Sequence, residues 1–171
     1  MILDYSTYAS PIGEILLVSR GEQLLTLDFA DYEKRMRKLL DLRHSPYMLK
    51  DAPVPRRIAD ALDRYFAGDL NSLHSIAVDT GGTEFQQRVW AELRRTMPGQ
   101  TATYSEIARR IDRPGASRAV GAANGSNAIA IVIPCHRIVG SSGKLTGYAG
   151  GLERKQWLLD HERDNCVKGA N

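Results

Sequence analysis

Cysteine is scarce in this chain: of 171 residues, only Cys135 and Cys166 carry a thiol. Two are too few for a disulfide framework, and in a reducing compartment both stay free. Long apolar runs are missing as well. No stretch of about 18 apolar residues exists, and MILDYSTYASPIG at Met1 to Gly13 has no basic region leading into a hydrophobic segment. Neither a membrane span nor a secretory signal is expected, and a cytoplasmic address follows. Histidine is limited to four residues; His44 and His74 lie outside any cysteine or carboxylate cluster at metal spacing and read as surface residues. Lys144 lacks the upstream glycine and the following Ser or Thr of a Walker loop. Nor is there a large excess of one charge. The net +3 divides into −2 through residue 80 and +5 beyond it, which lets the second half meet a polyanion without requiring one.

What is present divides at the turn-rich Asp79-Thr80-Gly81-Gly82, giving an expected N-terminal α/β structural domain over 1–80 and a C-terminal domain over 81–171. In the first, β-branched and apolar clusters around Pro11-Ile12-Gly13 and Gly21-Glu22 predict a small antiparallel meander. Helical spacing follows over Asp31 to Arg43, with Tyr32, Met36, Leu39 and Leu40 on successive turns, until Pro46, Pro53 and Pro55 break it. A second helix runs from about Arg56 to Phe66, stopped by Gly68. In the second domain, Thr83 with Gln86 and Thr103 with Glu106 form two capping-box patterns. The first opens a helix burying Phe85, Val89, Trp90 and Leu93. The second opens TYSEIARRI, and after Pro114-Gly115 the segment ASRAVGAANGSN resumes helical spacing. LERKQWLLDHE reads as a closing helix with Leu152, Trp157, Leu158 and His161 inward, and RDNCVKGAN as a frayed tail. The expected fold is α+β: a mixed α/β domain with a small antiparallel sheet, then a mainly helical domain.

Two short helices around a Pro/Gly turn fit the helix-turn-helix scheme. The second is unusually smooth, since glycine in a helix costs about 0.5–1 kcal/mol against alanine. Close packing is one reason to keep Gly121 and Gly125. Close approach of a nucleic-acid backbone is the other, with Arg118 as the long side chain that reaches in.

AIAIVIPCHRIVG, from Ala128 to Gly140, reads as a buried strand ending on reactive groups. Neighbouring strand residues point to opposite faces, so a bend at Pro134 is needed to bring Cys135 and His136 to one cleft. A thiol with a pKa near 8.5 is only a few per cent thiolate at neutral pH and needs a base within reach. His136 is that base, and Glu162 is the carboxylate placed to orient it. An arbitrary Cys-His pair is more often inert and buried. A zinc site from Cys135, His136, His161 and Cys166 requires adjacent ligands that are unusual for structural zinc.

The neighbours decide between these options. PCHRIVG (Pro134 to Gly140), SRAVGAANGSN (Ser117 to Asn127), GYAGG (Gly147 to Gly151) and KQWLLDHE (Lys155 to Glu162) together resemble the O6-alkylguanine-DNA alkyltransferases, also called methylated-DNA-protein-cysteine methyltransferases. The resemblance runs from about Gly82 to Glu162, and SPIGEILLVS and YFAGDL in the first half fit the bacterial type. It implies transfer of an alkyl group to Cys135 in a single irreversible turnover, from O6 of guanine, with O4 of thymine as an alternative substrate atom. No cofactor and no metal are implied.

The implied partner is double-stranded DNA, bound through the minor groove by a monomer that flips the damaged base out of the stack. Arg118 then fills the vacated stack, while Tyr104 presses on a phosphate and donates to guanine N3. Thr103, Ser105, Ala122, Ala123, Asn124 and Gly125 make further DNA contacts. At the sulfur, a water links Cys135 to His136, Glu162 accepts from the other imidazole nitrogen, and Asn127 holds the connecting turn. The implied substrate pocket comprises Cys135, Ile138, Tyr148, Ala149 and Lys155. The carbonyls of Cys135 and Ile138 accept from the guanine amine, and the Ala149 N–H donates to O6. Three competing readings predict other features. A non-catalytic damage sensor would replace Cys135, a transcription regulator would carry base-reading polar side chains on its recognition helix, and a cysteine hydrolase would turn over repeatedly.

Overall fold

The computed structural model describes residues 1–169. They form two compact units: Met1–Gly81 with Ala128–Val132, and Gly82–Asn127 with the chain from Ile133 onward. In the first unit, β1 (Ile2–Ser10), β2 (Gly13–Arg20) and β3 (Gln23–Phe29) make the antiparallel meander. Gly13 and Gly21 close its two turns with φ of 122° and 61°, a region glycine enters without strain. Helix α1 (Glu33–His44) lays Met36 and Leu40 against Leu3, Leu16, Val18 and Leu25. Each such side chain contributes roughly 1.5–3 kcal/mol on burial. A fourth strand, β4 (Met48–Asp51), pairs parallel with β1, giving the order β3-β2-β1-β4. Its four residues are mostly exposed, so they carry no alternation that a sequence pattern could register. Helix α2 (Arg56–Phe66) starts directly after Pro55 and buries Ile58, Ala61, Leu62 and Tyr65.

The second unit is built on helices whose starts are written in the sequence. Both reciprocal capping bonds form at Thr83 for α3 (Glu84–Arg95) and at Thr103 for α4 (Tyr104–Arg110). Trp90 of α3 donates its indole N–H to the Ala123 carbonyl at 2.8 Å, which fastens α3 to α5 (Ser117–Gly125). The Trp90 ring also lies on Gly82, where a Cβ would sit 2.4 Å from ring carbons. The two-residue strands β5 (Ala102–Thr103) and β6 (Ile138–Val139) pair in parallel, and α6 (Leu152–Gly169) completes the unit.

Three expectations differ from the structure. Ala128 to Val139 is not one continuous strand: only its last two residues, Ile138–Val139, are in a strand, β6. Ile129 makes a single bridge to Leu27, Ile131 takes a φ of 70°, and the N–H groups of Val132 and Cys135 bond to carbonyls only two residues back. The run is buried throughout, and burial is what its apolar character encodes. Tight turns and the Asn127 side chain, whose amide donates to the Ile133 carbonyl at 2.9 Å, satisfy the backbone in place of a ladder. The tail RDNCVKGAN is not frayed from Arg163, because α6 continues to Gly169; its last two residues lie outside the described ones. The inward residues of α6 are Lys155, Leu158 and Glu162, spaced three and four apart, whereas Leu152 is exposed and the half-buried Trp157 and His161 stack on each other.

Candidate active site

Pro134 leads into a single 3-10 turn made of Cys135, His136 and Arg137. At three residues per turn, successive side chains fan out by roughly 120°, which removes the strand alternation that would have kept thiol and imidazole apart. All three are buried. Below them, Glu162 of α6 is fully buried and takes three charge-assisted contacts. Its Oε2 lies 2.8 Å from His136 Nε2 and 2.9 Å from Arg137 Nη2, and its Oε1 accepts from Arg137 Nε at 2.8 Å. Arg137 Nη1 donates to the Thr96 carbonyl at 2.6 Å, so the guanidinium is held from two sides. Sequence reasoning gave Arg137 no role. Its signal was an arginine inside an apolar, buried segment, since a buried cation requires a partner.

The electrostatics fix the imidazole tautomer. Burial alone raises the Glu162 carboxyl, but the His136 and Arg137 contacts outweigh it and hold the group well below the usual carboxylate range. Glu162 is therefore an ionised acceptor. Burial pushes His136 down, and the neighbouring carboxylate offsets that only in part, so the ring is neutral and donates Nε2–H to Glu162. Its Nδ1 is left as the basic nitrogen, and that atom is buried and finds no hydrogen-bond partner among the described residues.

Stability carries the same signature. A histidine whose pKa is depressed in the folded state stays neutral while the unfolded chain takes up a proton. Its contribution is therefore intact above the unfolded value of 6.5 and is lost as pH falls below it. Urea unfolding between about pH 7.5 and pH 5 is expected to show wild type losing more stability than His136→Gln, by at most about 1.4 kcal/mol per pH unit. Equal losses would mean that the buried ring protonates freely.

Of the other expected pocket residues, Ile138 is fully buried in β6, and Tyr148 and Ala149 are half-buried in the loop before α6. Lys155 is fully buried and donates Nζ to the Thr146 carbonyl at 3.1 Å. Burial lowers its pKa, and Cys135 lies near enough that a negative charge there would act to raise it. Asn127 is buried in the turn that links α5 to the Cys135 segment.

On the helix-turn-helix, Arg118, Ala119, Ala122 and Gly125 share one exposed face of α5, Ser105 is exposed, and Thr103 and Tyr104 are half-buried. Ala123 and Asn124 face the other way. Both are buried, and the Asn124 amide lies 3.5 Å from the Cys135 carbonyl. Cys166 is exposed, and among the described residues no group of three or more His, Cys, Asp or Glu side chains is arranged to hold a metal ion.

This arrangement has relatives. Residues 84–164 match the family model described as 6-O-methylguanine DNA methyltransferase, DNA binding domain, and residues 3–80 match the ribonuclease-like domain of the same family. The chain is 45% identical over 157 residues to a methylated-DNA--protein-cysteine methyltransferase of Shigella flexneri, covering 90% of this chain and 92% of that one. It is 43% identical over 168 residues to the protein of the same name from Mycobacterium bovis, covering 96% and 95%. Among solved structures it is similar to Mycobacterium tuberculosis OGT in complex with DNA, with a TM-score of 0.82 at 42% identity over 95% of this chain and 94% of that one. The chain therefore belongs to the 6-O-methylguanine DNA methyltransferase family.

Proposed function

We propose that this protein repairs DNA by moving an alkyl group from O6 of guanine to the sulfur of Cys135, once per molecule. The observation that carries the reading is the buried Glu162–His136 pair, which leaves a neutral imidazole with its basic Nδ1 uncommitted, one residue from a buried thiol. In the reaction, His136 draws the proton from Cys135, directly or through one water. The thiolate attacks the alkyl carbon, the S–C bond forms as the C–O6 bond breaks, and the electron pair leaves on O6. The Ala149 N–H and the Lys155 charge stabilise that oxygen and the thiolate respectively. The product is a thioether, which leaves the sulfur without a thiol to react again.

The target oxygen lies inside the duplex, so the base must leave the stack at a cost of a few kcal/mol. Arg118 takes its place, Tyr104 handles the base, and Thr103, Ser105, Ala122 and Gly125 meet the minor-groove backbone. The two glycines of α5 support this assignment. A Cβ at Gly121 would make only ordinary contact with Tyr104 ring carbons at 3.6 and 3.7 Å, and one at Gly125 would meet nothing within 4 Å. Packing inside the unit therefore does not require either glycine, and close approach from outside is the reason that remains. Ala123 and Asn124 contribute from beneath this face. The protein acts as a monomer in the cytoplasm, and among the described residues no helix is long and apolar enough to cross a membrane.

The test is incubation with a duplex containing one O6-methylguanine, followed by mass spectrometry of the protein. One added methyl per chain on the peptide holding Cys135 is expected. Sub-stoichiometric label at completion, label elsewhere, or repeated turnover would overturn the reading. A second expectation isolates flipping. Arg118→Ala should slow repair in duplex by about ten- to a hundredfold, the rate equivalent of losing 1.4–2.7 kcal/mol, while reaction with the free alkylated base stays at the wild-type rate. Equal slowing on both substrates would remove Arg118 from the flipping step.

A further inference from the structure

We infer that Thr146 is a positioning residue for Tyr104, holding its phenol ready for the flipped base; this rests on the alkyl-transfer reading above. Thr146 lies in a glycine-rich loop after β6 and is fixed there in three ways. Its carbonyl accepts from Nζ of the fully buried Lys155 at 3.1 Å. Its methyl lies against Gly140, where a Cβ would come within 3.2 Å of Thr146 Cγ2. Its hydroxyl lies 2.7 Å from the hydroxyl of Tyr104. The Tyr104 ring faces Gly121 of α5 across a gap that a Cβ would just fill, 3.6 and 3.7 Å from its ring carbons, so the hydroxyl of Thr146 is what fixes the phenol at its far end.

The chemistry follows from hydrogen-bond capacity. A phenol has one proton to give. With the Thr146 hydroxyl as donor, the Tyr104 oxygen is occupied as an acceptor and its own proton stays available for the base. Such a bond also polarises the phenol and makes it a better donor. The orientation is set before the base arrives, so no reorganisation is left to the reacting complex. Threonine suits the position because its methyl fills the space over Gly140 while its hydroxyl reaches α4.

The experiment uses the full chain and duplex containing O6-methylguanine, measuring the rate of methyl transfer to Cys135. Thr146→Val keeps the shape and removes the hydroxyl, and it should slow transfer about tenfold, as loss of a single neutral hydrogen bond does. Thr146→Ser should return to within about twofold of wild type. The Tyr104→Phe/Thr146→Val double variant should be no slower than Tyr104→Phe alone, because the two hydroxyls act as one unit. Alkylation of Cys135 by iodoacetamide should be unchanged in Thr146→Val.

Wild-type transfer by Thr146→Val, failure of serine to rescue, full multiplication of the two single effects, or equal slowing toward iodoacetamide would each overturn the inference while leaving alkyl transfer intact. If wild type itself takes up no methyl group, the alkyl-transfer reading fails and Thr146 loses its role with it.

Discussion

Cys135→Ser will take up no measurable methyl group from O6-methylguanine duplex, a loss of at least about 10⁴-fold, on the scale that removal of a nucleophile produces in other enzymes. The thiolate is the attacking species in thiol chemistry, and a neutral imidazole that generates some thiolate cannot ionise an aliphatic hydroxyl to a comparable extent. The exchange is close to isosteric. Cys135 is buried at the head of a 3-10 turn whose backbone N–H bonds to the Ile133 carbonyl, and serine keeps that bond. Burying a hydroxyl in place of the thiol should cost at most about 1–3 kcal/mol, which leaves the fold standing. Affinity for undamaged duplex, read by fluorescence anisotropy, should stay within about twofold, because the exposed face of α5 is untouched. The exposed Cys166 serves as an internal control. Methyl uptake by the serine variant on any residue would sink the assignment of Cys135.

Much of this was legible in the sequence where local chemistry determines local structure. The capping boxes at Thr83 and Thr103 specify helix starts through bonds between residues three apart, and both form. The meander followed from its turns, since Gly13 and Gly21 occupy backbone conformations that few other residues adopt. The active-site segment was harder. AIAIVI signals burial through composition, but composition does not distinguish a strand from a series of tight turns. What decides between them is the Asn127 side chain taking the Ile133 carbonyl and Ile131 entering positive φ, neither of which has a periodic signature. Strand β4 was invisible for the opposite reason: it is short and exposed, and the parallel partner that stabilises it lies more than 40 residues away in sequence. At the site, the order Cys, His and Glu was readable by type. Arg137 carries only the general signal of a cation inside an apolar run, which calls for a partner without naming it, and the partner is identified where Glu162 holds both side chains.

That shared carboxylate makes Glu162→Gln the most informative change after the nucleophile itself. In wild type, one oxygen receives His136 Nε2 and Arg137 Nη2 and the other receives Arg137 Nε. Glutamine keeps one oxygen and replaces the other with a donor, so one existing N–H must face an N–H. Facing His136, the new amide forces Nε2 to accept, and the proton moves to Nδ1, removing the base from the nitrogen left uncommitted in wild type. Facing Arg137 Nε, it removes one of the buried guanidinium's three hydrogen bonds. In either orientation the cation loses its counter-charge, and breaking a buried pair from one side costs about 3–5 kcal/mol.

Glu162→Gln should therefore lose stability on that scale in urea unfolding, and its methyl-transfer rate should fall by about 10²–10⁴-fold, the range general-base catalysis supplies. A second change separates the two effects. In Glu162→Gln/Arg137→Met the unpaired cation is gone, and an apolar chain fills its channel, so most of the lost stability should return. The rate should not return, because the imidazole still lacks the carboxylate that fixes its tautomer. Recovery of both together would mean that Glu162 serves only to neutralise Arg137. Recovery of stability alone would assign the carboxylate two separable tasks, holding the cation and orienting the base that activates Cys135.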